Sequence, residues 1–356
     1  MIQPKFKGRG AQTNPQNRFE RLSLDLSNPG YDFNTDEEFF EIQPRTVFYK
    51  DESKSVISKN DSEDLFFDYS FNPYRGCEHG CIYCYARPSH EFIGFSSGLD
   101  FETKIMIKEK APQLLEEQFK KANYKPDVIV FSGNTDCYQP VERKLEITRK
   151  ALQVCLEYRN PVSLITKNAL ILRDIDILKE MAGLNLLSVM LSVATMDKVL
   201  ANKMEPRTST PERRFKVVKE LAGYKIPVGV NLAPVIPGLT DNEIPGILKM
   251  AADCGALFAG YILLRLPYSV KDLFVDWIKH HLPGRANKVI NSIKSTHNGK
   301  LNESGFGKRF TGQGELASTI NDLFSISCKK YNLNRQRINL TNELFRRNSK
   351  SQLELF

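Results

Sequence analysis

The sequence predicts an α/β fold, a partial (β/α)6 TIM-like barrel with an N-terminal extension and a mainly helical C-terminal extension. Three observations predict it. Between residues 66 and 265, short apolar runs of strand length alternate with amphipathic stretches of helix length, and strand, helix, strand repeated at such intervals means parallel strands joined by right-handed crossovers. Polar residues and glycines recur immediately after the apolar runs, where parallel strands carry their binding groups. The alternation is absent from residues 1–65 and stops after residue 265.

Taken in order, residues 1–65 are rich in Asn, Asp, Glu, Ser and Lys, with short unperiodic apolar groups such as Phe39-Phe40 and Val47-Phe48. This reads as a polar tail, disordered in part or wrapped around the body. Its basic start, Lys5, Lys7 and Arg9, is either solvated or set against a phosphate backbone. FFDYSFNPY then reads as a strand, KIMIK at 104–108 as a short strand, and APQLLEEQFKKA as a helix with Pro112 in its first turn. DVIVFSGNTD is a buried strand, VERKLEITRKALQVCLEYR one long helix, and VSLITKN a strand. ILRDIDILKEMAG is a helix closing at Gly183, where a left-handed cap residue is expected. The strand NLLSVMLSV, a helix from near Met196, the helix TPERRFKVVKELAG, the strand IPVGVNLAP, the helix NEIPGILKMAADCG and the strand LFAGYILLRL complete the barrel. Beyond 265, DLFVDWIKHHLP and GRANKVINSIKS are helices, with His280, His281 and Trp277 on the first. A Gly-rich basic loop follows, in which Lys300, Lys308 and Arg309 stand beside Phe306 and Phe310. The loop is either a solvated lid over the barrel mouth or a surface for a phosphate backbone and a stacked base. Arg335, Arg337, Arg346 and Arg347 make a basic tail, read as solvated unless it touches nucleic acid.

With 50 Lys and Arg against 42 Asp and Glu, the net charge is +8 over 356 residues. The pI near 9.0 favours anionic partners without specifying one. No run approaches the ~18 apolar residues of a membrane span, and the polar start lacks the apolar core of a secretory signal. Seven cysteines, three clustered and four scattered, argue against a disulfide framework and for a reducing cytoplasm.

The clustered three carry the chemistry. Cys77, Cys81 and Cys84 lie in NPYRGCEHGCIYCYARPSHEF with the spacing C-x3-C-x2-C, and three soft thiolates on one loop suit an inorganic centre. Two readings stand side by side. A 4Fe-4S cluster held by three Cys leaves one iron open to a small molecule, whereas His79 or His90 as a fourth ligand would close a structural zinc site. Zinc sites usually place a second ligand pair further along, and none follows here. At the other strand ends stand Ser132, Gly133, Asn134, Thr135 and Asp136, then Lys167 and Asn168, then Ser192, then Asn231. Each has an ordinary use as a turn or cap residue. Their recurrence at one rim suits a ligand with an amino acid end, a ribose and a base.

The C-x3-C-x2-C motif with an aromatic before its third Cys resembles the radical SAM superfamily. The blocks SGNTDCYQPVERKLEITR, VSLITKNALILRDIDIL, LSVATMDKVLANKMEPRTSTPERR and VGVNLAPVIPGLTDNE are similar to its spore photoproduct lyase-like branch, also called DNA repair photolyase-like. The likeness covers about residues 66 to 325. It implies a 4Fe-4S cluster on Cys77, Cys81 and Cys84, and S-adenosylmethionine on its open iron. It also implies reductive cleavage to a 5'-deoxyadenosyl radical, which abstracts hydrogen from a substrate, and a reductant such as flavodoxin or ferredoxin. By position it sets Tyr83 beside the adenine and gives Thr135 or Asn134, Lys167, Ser192 and Asn231 to the cofactor, the Lys167 ammonium suiting a carboxylate. Cys137 lies in the loop where the lyases keep a hydrogen donor; the alternative is a small buried residue. Glu205 and Arg207 in MEPRTSTPERR make either an ion pair or a cofactor contact, and Cys155, Cys254 and Cys328 read as core. The substrate stays open among a nucleic acid, a protein and a small molecule. A non-catalytic, metal-stabilised nucleic-acid-binding protein is the reading from outside enzymology.

Overall fold

The structure, a computed structural model, describes residues 6–19, 45–60, 62–65, 67–303 and 305–347. Lys5 and Phe39-Phe40 therefore lie outside the described residues. The strands are β1 (Val47–Lys50), β2 (Ile57–Lys59), β3 (Tyr69–Phe71), β4 (Tyr74–Arg75), β5 (Lys104–Ile107), β6 (Ile129–Phe131), β7 (Val162–Thr166), β8 (Leu187–Ser192), β9 (Val228–Val235) and β10 (Phe258–Leu263). The helices are α1 (Leu99–Thr103), α2 (Ala111–Lys120), α3 (Glu142–Leu145), α4 (Ile147–Tyr158), α5 (Ile175–Gly183), α6 (Lys198–Met204), α7 (Pro211–Gly223), α8 (Ile244–Asp253), α9 (Val270–His281), α10 (Pro283–Ser295) and α11 (Glu315–Lys330).

The main sheet runs β10-β9-β8-β7-β6-β3-β2. Its six strands β3, β6, β7, β8, β9 and β10 are mutually parallel, as a partial (β/α)6 barrel requires. β2 adds an antiparallel edge to β3, and β1, β5 and β4 form a small separate sheet. Residues 45–60 therefore supply strands as well as wrapping, and the barrel sheet begins ahead of residue 66.

The helices form where local chemistry favours them, with two departures from the sequence reading. Pro112 and Pro211 occupy first-turn positions of α2 and α7, and the Thr210 and Asp197 side chains cap α7 and α6 by accepting backbone N–H groups. The expected single helix from Val141 to Arg159 is broken, because Glu146 adopts a left-handed φ of 53° between α3 and α4. Gly183 is the last helical residue of α5, and the left-handed position falls two residues later on Asn185 (φ 55°). α11 is a helix that the composition of its segment does not announce.

Alternate strand residues face the helices. Leu187, Val189 and Leu191 of β8 and Val162 and Leu164 of β7 are fully buried in the main core. A second apolar cluster joins Cys81, Ile82 and Tyr83 to Leu264 and Leu266 beyond β10 and to Phe274, Trp277 and Ile278 of α9. The C-terminal helices thus support the cysteine loop from below. Trp277 is buried there and donates to the Lys203 carbonyl at 3.1 Å. Among the described residues no helix is long and apolar enough to cross a membrane.

Candidate functional site

The cysteine loop follows β3 and β4 at the carboxyl rim and is held from four directions. Arg87, fully buried, donates from Nε to the Cys81 carbonyl at 3.0 Å and from Nη2 to the Gly80 carbonyl at 3.3 Å. The same guanidinium pairs with Glu102 of α1, also fully buried. Glu102 in turn accepts the Gly10 and Ala11 N–H groups at 3.0 and 2.8 Å, which straps residues 6–19 across the loop. The approach is close: a Cβ on Gly10 would stand 1.8 Å from the Gly80 carbonyl oxygen. Arg9, read from sequence as solvated or phosphate-facing, donates instead to the Glu102 carbonyl and to Thr46.

From the β6 side, Gln139 accepts the Glu78 N–H at 2.9 Å and donates to the Gly76 carbonyl at 3.2 Å. From the β8 side, the Tyr83 hydroxyl donates to Glu205, which also pairs with the buried Arg214. Glu205 and Arg207 do not pair with each other, since Arg207 lies 3.1 Å from Glu78. The two acids flanking the loop each meet a cation across the fold, and the sequence separation of 205 and 207 says nothing of this.

Asp136 ties the loop to the next strand ends. Its carboxylate accepts from the Thr166 hydroxyl, the Lys167 N–H and the Tyr138 N–H, all at 2.8–2.9 Å. Burial opposes its ionisation, but the His79 ring and these donors outweigh burial and hold the carboxyl at about 2. His79 Nδ1 stands 3.3 Å from Asp136, off the line of a hydrogen bond, and its Nε2 lies 3.2 Å from the Asn168 amide. Asn168 Oδ1 already accepts the Leu170 N–H, so the amide nitrogen is the group that faces the ring. His90 Nε2 is 2.9 Å from the Lys104 carbonyl, so it carries the proton. Each of the two histidines has its Nε2 engaged, while the Nδ1 of both is buried without a hydrogen bond among the described residues.

The polar residues of the remaining strands form one row. Ser192 is the register partner of Asn231, and Asn231 of Gly260. Thr166, the last residue of β7, pairs Leu191, and Lys167 follows it at the bend just beyond the strand end. Lys167 stands close enough to Cys81 and Cys84 for its charge to favour their thiolates. The Thr135 hydroxyl is committed to the Tyr74 carbonyl at 2.8 Å, which leaves Asn134, half-buried next to it, with its side-chain amide available. Ser132, at the head of that loop, holds a left-handed φ of 71°, the kind of backbone outlier that clusters at functional sites. Cys137 is fully buried in the main core with Ile147 and Leu152, and its thiol is pushed well up by burial and by Asp136. Cys155 and Cys328 are likewise buried in that core.

The family model of the radical SAM superfamily matches residues 71–251. The chain belongs to the radical SAM superfamily. An uncharacterized protein of Mycobacterium tuberculosis is 30% identical over 240 residues, 67% of this chain and 71% of that protein. Another, of Methanocaldococcus jannaschii, is 29% identical over 175 residues, 49% of this chain and 63% of that protein. Among solved structures, a spore photoproduct lyase mutant with bound AdoMet and dinucleoside spore photoproduct shares the fold, with a TM-score of 0.58, 16% identity, and coverage of 80% of this chain and 79% of that one. The protein is thus a radical SAM enzyme, and membership implies a 4Fe-4S cluster and S-adenosylmethionine.

The donor set of this chain fits that pair. All three cysteines are free thiols. Cys84 packs against both the apolar cluster that includes Cys81 and the small one of Cys77, Ala86 and Phe101. Burial pushes the Cys77 thiol well up, and Asp136 and the other two cysteines push it further; burial and Glu205 do the same to Cys81. Three such thiols ionise together only beside a cationic centre, which iron supplies.

Arg87, Glu102, Asp136 in its hub role, and Arg265 beyond β10 escape the sequence reading. A signal for one of them existed: Arg265 interrupts the apolar run LFAGYILLRL.

Proposed function

We propose that Cys77, Cys81 and Cys84 hold a 4Fe-4S cluster, that S-adenosylmethionine is held by the rim residues Asn134, Lys167, Ser192 and Asn231, and that the substrate is a nucleic acid. The observation that carries the cofactor reading is the register pair Ser192 and Asn231 on adjacent strand ends, with Lys167 just beyond the end of the next strand and its charge felt at Cys81 and Cys84. When bound, the pair supplies reductive cleavage of the sulfonium and a 5'-deoxyadenosyl radical able to abstract hydrogen.

The chain's own tasks are binding, orientation and exclusion of water. Lys167 neutralises a carboxylate, and the Asn134 and Asn231 amides with the Ser192 hydroxyl supply donors and acceptors. Tyr83 offers an apolar ring whose hydroxyl is already satisfied by Glu205. Asp136 fixes the backbone N–H of Lys167 and so the point from which that ammonium reaches.

The net charge of +8 and the dinucleoside photoproduct in a fold neighbour support a polynucleotide substrate. A lyase-type DNA repair reaction needs a hydrogen donor at the rim, and the burial of Cys137 in the helix-side core favours a structural role for that thiol. The test is electron paramagnetic resonance of the anaerobically reconstituted, dithionite-reduced protein. A cluster signal that changes shape on addition of S-adenosylmethionine supports the reading; a signal indifferent to it contradicts it.

A further inference from the structure

Arg265 is the cation that the fold leaves unanswered. It lies two residues beyond β10 at the carboxyl rim, between Leu264 and Leu266, both fully buried in the cluster beneath the cysteine loop. Its Nε is buried and makes no hydrogen bond among the described residues. No carboxylate of the described residues lies within ion-pair distance of it, whereas Arg309 nearby is paired to Asp64. What surrounds the Arg265 guanidinium is aromatic: the Phe310 ring at 4.9 Å and the Tyr85 ring at 5.8 Å from centroid to guanidinium carbon. Burial and the Arg309 charge act to lower its pKa, with Tyr85 and the Asp64 carboxylate acting against them, and Asp64 itself is committed to Arg309. The residue is half-buried, and an anion at the guanidinium would supply the partner that its buried Nε lacks.

Tyr85 directly follows Cys84, and its hydroxyl donates to the Gly133 carbonyl on the β6 rim at 2.5 Å, so Arg265 faces the mouth beside the cysteine loop. The mouth is also where the open barrel closes. Asp64, between β2 and β3, takes Arg309 and the Gly307 N–H from the loop ahead of α11, bridging the edge strand β2 to the side where β10 ends. Leu263 of β10 donates to the Phe310 carbonyl at 2.8 Å. Across this seam the rings of Tyr85 and Phe306 are 47% and 58% exposed, large apolar faces turned to solvent beside a cation.

We propose that Arg265, Tyr85 and Phe306 form a substrate subsite that takes a phosphate of a single-stranded polynucleotide on the guanidinium and its neighbouring base on the exposed rings. The assignment rests on the nucleic-acid reading above and adds the residues that recognise it. A guanidinium suits a phosphate in a bidentate contact, and exposed aromatic faces accept bases of any sequence by stacking. Arg309 stacks on Phe306 and Phe310 at 5.0 and 4.8 Å and, being paired to Asp64, sets those rings rather than binding the anion itself.

The experiment is fluorescence anisotropy of a labelled single-stranded oligothymidylate with the anaerobically reconstituted full-length protein, across a salt series. Arg265→Gln, Arg265→Lys and Phe306→Ala are compared with wild type, and S-adenosylmethionine affinity is measured on each. Arg265→Gln is expected to weaken oligonucleotide binding at least tenfold and to reduce the salt slope by about one, with Arg265→Lys intermediate. Phe306→Ala, on an exposed ring whose loss leaves the core intact, is expected to weaken binding about fivefold or more. Wild type that does not bind the oligonucleotide, Arg265→Gln that binds it as wild type does, or an Arg265→Gln defect confined to S-adenosylmethionine each overturns the proposal. None of these results touches the cluster reading, which is read separately from the paramagnetic signal.

Discussion

Arg87 Nη2 stands 2.5 Å from Glu102 Oε1, and neither side chain is exposed to solvent. Between them the two residues satisfy the Gly80 and Cys81 carbonyls and the Gly10 and Ala11 N–H groups. Removing one partner leaves a buried charge uncompensated, which costs about 3–5 kcal/mol. Arg87→Met and Glu102→Ala should each lower the melting temperature and reduce the iron bound per chain after reconstitution. Wild-type iron content in both variants would show that the pair is incidental to the loop.

The strap is pinned by the absence of a side chain at residue 10. A Cβ there meets the Gly80 carbonyl oxygen at 1.8 Å, far inside any real contact. Gly10→Val should lift the strap and speed bleaching of the cluster in air. Gly284→Ala, which meets nothing within 4 Å, serves as the control expected to bleach at the wild-type rate.

Lys167 is the charged member of the rim row. A hydrogen bond to a charged group contributes about 1.5–3 kcal/mol, so Lys167→Gln should weaken S-adenosylmethionine binding by at least tenfold in anaerobic titration calorimetry. Ser192→Ala removes a neutral partner and should cost less than Lys167→Gln. Equal affinities across the three proteins would remove the row from the cofactor site.

His90 couples stability to pH. Burial lowers its pKa from 6.5 to about 4 in the folded chain, and its neutral ring donates to the Lys104 carbonyl. Between those values the unfolded chain holds a proton that the folded chain lacks, so stability is complete above 6.5 and is lost as pH falls toward 4, by at most about 3 kcal/mol. Urea unfolding of the cluster-free chain at pH 7 and pH 4.5 should show this loss in wild type and a smaller one in His90→Gln.

Much of this arrangement is legible in the amino acids, for physical reasons that also mark where it ceases to be. The six parallel strands show because a strand buried on its helix side is an apolar run whatever its neighbours. Lys167, Ser192 and Asn231 show because strand ends are where polar residues collect, although the register that sets Ser192 opposite Asn231 belongs to the pairing. Pairing across the fold leaves no local trace. Glu102 is met by Arg87 from 15 positions away and by Gly10 from 92. The left-handed turn at Glu146 looks like continuous helix, since nothing in ERKLEITRK breaks the helical pattern. The basic residues mislead in one direction. Arg9, Arg346 and Arg347 read as solvated or phosphate-facing, yet each donates to backbone carbonyls: Arg9 at Glu102, Arg346 at Glu157, Arg347 at Lys121 and Tyr124. A guanidinium's reach makes its partner unreadable from charge alone.

The most direct measurement is anaerobic purification, an iron and sulfide count, and detection of 5'-deoxyadenosine after addition of dithionite and S-adenosylmethionine, with Cys81→Ala beside wild type. About four irons per chain and 5'-deoxyadenosine formation that disappears in Cys81→Ala is the expected result. Zinc in place of iron, or no 5'-deoxyadenosine from an iron-loaded wild type, would contradict it.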